Sequence, residues 1–194
     1  MTQNIWQKSL KLTYPKDVID IVLFGSTIFD SDTAKDIDIA VIYEKIPLKE
    51  QLEHSQKIKN QLKKIFGKKI HMTSFDLYSL LDSGNFAREG ILFYGKSLIT
   101  KENFSVRFGI IPRLRIKYDL KDLQKKDKVR FNYLLSGRLG SYGLLRKYGG
   151  RIISPGVVEI MPEHEKIFSQ KMKKLIKNPL LEKIFISKDS LKNQ

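Results

Sequence analysis

The 194-residue chain has no cysteine, which excludes disulfides, thiolate-bound zinc and a cysteine nucleophile. It also lacks any apolar run near the roughly 20 residues that cross a membrane. Residues 1–12 have neither the apolar core nor the small-residue cleavage site of a signal peptide. A cytoplasmic protein with no membrane partner is the expectation. There is no internal repeat and no long low-complexity linker. The second half is poor in acid: residues 101–194 hold 22 Lys and Arg against 9 Asp and Glu, whereas the first hundred hold 14 against 12. A lysine-rich genome would enrich both halves alike. The net charge of +15 and the pI near 9.8 therefore point to a polyanionic partner held by the second half. The length and the 41% hydrophobic content are enough to build a core, in one domain or two small ones.

What is present is organised around residues 22–42, VLFGSTIFDSDTAKDIDIAVI. The run Ile19, Ile21, Val22, Leu23 and Phe24 has the length and β-branched content of a buried strand. It stops at Gly25-Ser26, a pair suited to a tight turn, with the glycine allowing close backbone approach and the serine capping. A second strand follows over 35–42, with Asp36 and Asp38 at i and i+2. Alternate residues share a face, so the two carboxylates point together while Ile37 and Ile39 pack beneath. Carboxylates that close repel each other unless a cation lies between them, and hard oxygen donors favour Mg²⁺ or Mn²⁺. The plainer alternative is a surface hairpin with two solvated aspartates.

Phe24-Gly25-Ser26, a spacer and then Asp36-Ile37-Asp38-Ile39 resemble the signature of the nucleotidyltransferases of the DNA polymerase beta superfamily. The resemblance implies an α/β fold with a small mixed sheet. It implies that Gly25 and Ser26 hold the terminal phosphates of a nucleoside triphosphate and that Asp36 and Asp38 bind Mg²⁺ or Mn²⁺. A third strand, 69–76, follows a helix over 49–66, apolar at Leu52, Ile58, Leu62, Ile65 and Phe66, that Gly67 ends. In the family this strand brings a third carboxylate, but here the matching position is His71, with Ile70 and Met72 facing the core. A neutral imidazole can serve as general base near pH 7, and the alternative is a polar residue on an exposed strand face. Asp76 is expected at the strand's end, capping a helix over 77–81. Residues 86–96, with their Tyr-Gly turn, resemble the close of the same domain. The likeness covers about residues 15–100, giving a nucleotidyltransferase-like domain 1–100 and a basic domain 101–194. Trp6 reads as core, and His54 and His164 read as surface.

In the second half, residues 104–109 and 112–118 alternate cations with apolar residues. As strands they would aim Arg107 and the set Arg113, Arg115 and Lys117 at phosphates. A helix over 120–135 capped by Asp119, a short helix over 142–148 capped by Ser141, and a hairpin over 151–160 about Ser154-Pro155-Gly156 give an α+β outline resembling a winged helix. Arg138, Arg146, Lys147 and Arg151 would then approach nucleic acid. Gly137-Arg138-Leu139-Gly140 also fits the GXXG loop of KH domains. A basic helix over 163–185, interrupted at Asn178-Pro179, completes the expectation. The function expected is metal-dependent transfer of a nucleoside monophosphate to a hydroxyl, on RNA rather than DNA. Two alternatives stand beside it: transfer to a protein hydroxyl, as in the small nucleotidyltransferases of toxin–antitoxin pairs, and an inactive fold used for nucleic-acid binding or regulation.

Overall fold

The computed structural model describes residues 6, 9–29 and 34–191. The chain is a mixture of helices and sheets and divides into two units, Met1–Gly109 and Ile110–Gln194. No helix among the described residues is long and apolar enough to cross a membrane.

In the first unit β1 (Val18–Phe24), β2 (Asp36–Tyr43), β3 (Lys69–Asp76) and β4 (Lys96–Ser97) form one sheet in the order β3-β2-β1-β4. β1 is antiparallel to β2 and β4, and β2 is parallel to β3, so the sheet is mixed. The two central strands are covered on both faces, which explains their nearly continuous apolar sequence. Ile21, Leu23, Ile37, Ile39 and Val41 share a core with Ile58 and Leu62 of α1 (Leu48–Phe66). Val22, Ala40 and Ile42 pack on the opposite face with Leu80, Ile91 and Phe104. Trp6 packs against the first of these cores, as expected.

α1 ends at Gly67, which adopts φ 63°, a left-handed cap with no Cβ penalty for glycine. Its buried stripe differs from the expected one, since Leu52 is exposed while Gln51 and Ser55 are buried. The cause is a set of hydrogen bonds to the sheet. The Tyr43 hydroxyl lies 2.8 Å from Ser55 Oγ and donates to the Gln51 carbonyl, and Ser55 Oγ lies 2.7 Å from Ser74 Oγ. His54, expected in solvent, is half-buried beside the Tyr43 ring. α2 (Leu77–Leu81) is capped by Asp76, whose carboxylate accepts from the Ser79 N–H at 2.8 Å. Residues 104–109 correct the strand expectation. Phe104–Phe108 is a 3₁₀ helix, with the two end rings edge-to-face at 5.3 Å, a contact that a turn permits and an extended chain does not.

In the second unit β5 (Ile110–Lys117), β8 (Arg151–Ser154), β9 (Val157–Ile160) and β10 (Leu180–Ser187) form an antiparallel sheet in the order β10-β5-β9-β8. Leu114, Ile116, Val158 and Ile160 face a core closed by Phe131, Leu135, Leu145, Phe168 and Met172. The hairpin at 151–160 is present, and it forms one edge of this sheet. Other expectations need correction. α3 spans only Lys125–Ser136, and the Asp119 carboxylate instead accepts from the Lys121 N–H. Ser141 does not cap a helix: it lies in β7 (Ser141–Tyr142), paired with β6 (Gly137–Arg138), and α4 is a single turn, Leu144–Lys147. Residues 163–185 are not one interrupted helix. α5 spans Glu165–Met172, Asn178 turns the chain at φ 46°, and after Pro179 the chain runs as β10 along the whole of β5. A residue before proline is pushed out of the helical region, and asparagine tolerates the left-handed one.

Candidate functional site

β2 and β3 bring the sequence-predicted residues of the first unit together. Asp36 and Asp38 project from the same face of β2, and the parallel register sets His71 opposite Asp38. His71 Nε2 lies 3.5 Å from Asp36 Oδ2, and Nδ1 lies 3.5 Å from Asp38 Oδ1. All three side chains are between about one-third and one-half exposed, at 35%, 32% and 50%, so the cluster opens to solvent.

The turn from Gly25 to Ile28 closes one side of this cluster. It is a 3₁₀ turn entered with Gly25 at φ 74°. A Cβ on residue 25 would lie 2.3 Å from Asp38 Oδ2. Only glycine therefore permits this approach, for steric reasons as well as conformational ones. Ser26 is exposed, and the turn has no side-chain cap hydrogen bond, so the expected capping role is corrected. The contact that ties the turn to β2 comes from Thr27, which the sequence reading missed. Thr27 is buried and its hydroxyl donates to the Asp36 carbonyl at 3.1 Å.

Among the described residues no group of three or more His, Cys, Asp or Glu is arranged to hold a metal ion. Mg²⁺ does not need such a cage, because it commonly takes one or two carboxylates and completes its shell with phosphates and water. Asp36 and Asp38 are two such carboxylates, and the adjoining turn exposes Ser26 while burying Thr27 and Ile28.

The cations expected to meet nucleic acid divide into two groups. Arg107 lies in the first unit, where its Nε is 3.2 Å from Asp20 Oδ2. Asp20 sits fully buried in β1 and also accepts from Ser97 Oγ at 2.7 Å and from the Ile21 N–H. Burial pushes its carboxyl above the ordinary aspartate value against these three contacts. In the second unit Arg113, Arg115 and Lys117 do share one face of β5. Arg115 and Arg151 both engage the buried Glu159, at 2.8 and 2.9 Å. Burial alone would raise the Glu159 carboxyl, but the two guanidiniums outweigh it and hold the group below the ordinary glutamate value. Lys117 pairs with Glu182 at 2.6 Å, and an Arg113 N–H meets Met161 Sδ. By contrast Arg138 stacks over the Tyr133 ring at 5.3 Å, Arg146 over Tyr142 at 4.1 Å, and Lys147 over Tyr148 at 5.5 Å. His164, expected at the surface, is half-buried with its ring 4.8 Å from that of Tyr148.

Comparison with family models, with curated proteins and with solved structures gives no match.

Proposed function

We propose that the first unit is a nucleotidyltransferase that moves a nucleoside monophosphate from a nucleoside triphosphate to a hydroxyl, with RNA as the acceptor-bearing molecule. The observation that carries this reading is the approach of the Gly25 turn to the Asp36–Asp38 pair, with Asp38 Oδ2 where a Cβ on residue 25 would fall. A phosphate-gripping turn and a pair of metal-binding carboxylates are useful to phosphoryl chemistry only when they adjoin. A divalent cation held by Asp36 and Asp38 would neutralise charge on the triphosphate. Ser26 and the backbone N–H groups of the turn would receive the β- and γ-phosphates. The acceptor hydroxyl oxygen bonds to the α-phosphorus, the bond to the bridging oxygen breaks, and pyrophosphate leaves. His71, facing both carboxylates, would take the hydroxyl proton. The second unit would hold the RNA: α3, α4 and the β8–β9 hairpin come in the order of a winged helix, with the β6–β7 hairpin set between the two helices, and its excess of cations suits phosphate contacts.

One observation favours a second reading. The His71 ring lies 3.5 Å from both carboxylates and, when protonated, would itself offset their repulsion, so the pair could persist in an inactive fold that only binds nucleic acid. The two readings separate on transfer of label from α-³²P nucleoside triphosphates to pooled small RNA with Mg²⁺ or Mn²⁺. Label on RNA that is lost in Asp36→Asn/Asp38→Asn is the expected result. Label on protein would move the acceptor to a protein hydroxyl. Absence of label alongside tight RNA binding would overturn the enzyme in favour of the binding fold.

A further inference from the structure

Of the eight cations expected to meet nucleic acid, four are committed to carboxylates, among them two of the three on the face of β5. Arg107 holds Asp20, Arg115 and Arg151 hold Glu159, and Lys117 holds Glu182. The polyanion needs another surface. One lies in the second unit between α3 and the end of α5, a groove lined by Arg130, Tyr133, Leu134, Lys171, Lys174 and Leu175. Arg130, Tyr133 and Leu134 recur at i, i+3 and i+4 along one face of α3. Lys171, Lys174 and Leu175 repeat that spacing across the end of α5 and the turn after it. The result is an apolar floor with a cationic rim. Among the described residues no carboxylate pairs with Arg130, Lys171 or Lys174. The Tyr133 ring stays 45% exposed, and Arg138 lies over it at 5.3 Å. That stack continues the groove toward the β6–β7 hairpin, where Tyr142 is 68% exposed with Arg146 over its ring at 4.1 Å.

We propose that this groove and the adjoining Tyr133–Arg138 stack form the seat of single-stranded RNA, with phosphates on Arg130, Lys171 and Lys174 and an unpaired base against Tyr133. The assignment rests on the reading of RNA as the acceptor above and names the strand's form and where it binds. Splayed bases stack on aromatic rings and guanidinium planes, and the backbone tracks cations. A duplex offers phosphates but no free base face, and an acidic peptide offers charge without stacking planes.

The test is fluorescence anisotropy of a labelled oligouridylate with the full chain, repeated over a series of salt concentrations. Lys171→Ala/Lys174→Ala should weaken binding about tenfold and reduce the salt slope by about 1.4, at about 0.7 per lost phosphate contact on a single strand. Tyr133→Ala should weaken binding about tenfold with the salt slope unchanged, and Tyr133→Phe should restore it. Lys57→Ala/Lys59→Ala on α1 is the charge-matched control and should change little. Wild-type affinity in both groove variants, while the wild type binds RNA, would overturn the groove alone. Equal affinity for the annealed duplex, for the DNA oligomer or for polyglutamate would overturn the single-stranded RNA assignment. Failure of the wild-type chain to bind any RNA would overturn the underlying acceptor reading and this seat with it. Circular dichroism of each variant separates loss of the site from loss of the fold.

Discussion

Gly25→Ala tests the arrangement on which the candidate site depends, and Gly67→Ala supplies its control. Both glycines adopt left-handed backbone, at φ 74° and φ 63°, so alanine at either should cost about 1–2 kcal/mol in conformational strain. Their surroundings differ. A Cβ at 67 meets nothing within 4 Å, whereas one at 25 falls 2.3 Å from Asp38 Oδ2, 3.1 Å from its Cγ and 3.2 Å from its Cβ. Ordinary contact starts at 3.4 Å, and because even the Asp38 Cβ lies inside that limit, a rotation of the carboxylate alone does not relieve the overlap. Displacing the side chain together with its strand should add about 1–3 kcal/mol, for a total of about 2–5 kcal/mol against about 1–2 for the control. Urea denaturation of the two variants and the wild type measures the difference. Titration calorimetry with Mn²⁺ reads the second consequence, since a displaced Asp38 should weaken cation binding in Gly25→Ala and leave it intact in Gly67→Ala. Equal destabilisation by the two substitutions would refute the claim that residue 25 abuts Asp38. Unchanged Mn²⁺ affinity in a destabilised Gly25→Ala would refute the role given to Asp38.

Thr27→Val should cost about 1 kcal/mol by removing the hydroxyl donor to the Asp36 carbonyl, and urea denaturation reads it. Glu159→Gln should destabilise the fold by about 2–3 kcal/mol near neutral pH. This lies at and just below the low end for breaking a buried pair, because the arginines it leaves are 33% and 30% exposed. The Glu159 carboxyl is held below its ordinary value, so the stability it adds is present above that value and lost as pH falls through the lowered one. The gap between wild type and Glu159→Gln should therefore close in acid. Asp20 has the opposite sign. Its folded value is raised by burial, so its contribution is full below the unfolded value and lost as pH rises through the raised one. The stability of Asp20→Asn relative to wild type should accordingly improve as pH rises from the ordinary aspartate value through the raised one. His71→Asp would set a third carboxylate in register with Asp38. It should lower stability by about 1 kcal/mol without divalent cation and give a larger Mn²⁺-dependent rise in Tm than the wild type shows.

The central strands of the first unit were legible because local pattern and tertiary demand agree there, whereas residues 104–109 at its end were not. Strands buried on both faces are nearly continuous apolar runs, so β1 and β2 read directly from the sequence. The period of two then put Asp36 and Asp38 on one side without any knowledge of the fold. His71 was legible as a residue of the third strand. Its approach to both carboxylates depended on β3 lying parallel to β2 in one particular register, which no local pattern encodes. α1 shows the limit from the other direction. Its apolar periodicity favoured Leu52, yet Gln51 and Ser55 are buried. The Tyr43 hydroxyl and Ser74 offer partners there, and a polar side chain that completes its hydrogen bonds can occupy a core face. Asp20 is hidden in the same way: it lies inside an apolar run, and its partners Ser97 and Arg107 follow 77 and 87 residues later.

In the second unit the excess of cations was legible, but the partners of particular cations were not. Arg113, Arg115 and Lys117 were correctly read as one face of a strand, and from that face alone a row of three cations looks like a phosphate track. The carboxylates that meet two of them come from elsewhere: Glu159 lies 44 residues beyond Arg115, and Glu182 lies 65 beyond Lys117. Glu182 belongs to β10, where the sequence pattern predicts helix, so no local pattern sets a carboxylate beside Lys117. The groove was hidden as well, because the meeting of Lys171, Lys174 and Leu175 with α3 is a tertiary arrangement that no local pattern encodes. An excess of cations marks the half of a chain in which a polyanion site is expected, but cations already engaged by a carboxylate are poor candidates for that site. In this protein that criterion moves the expected contact from the face of β5 to the α3–α5 groove.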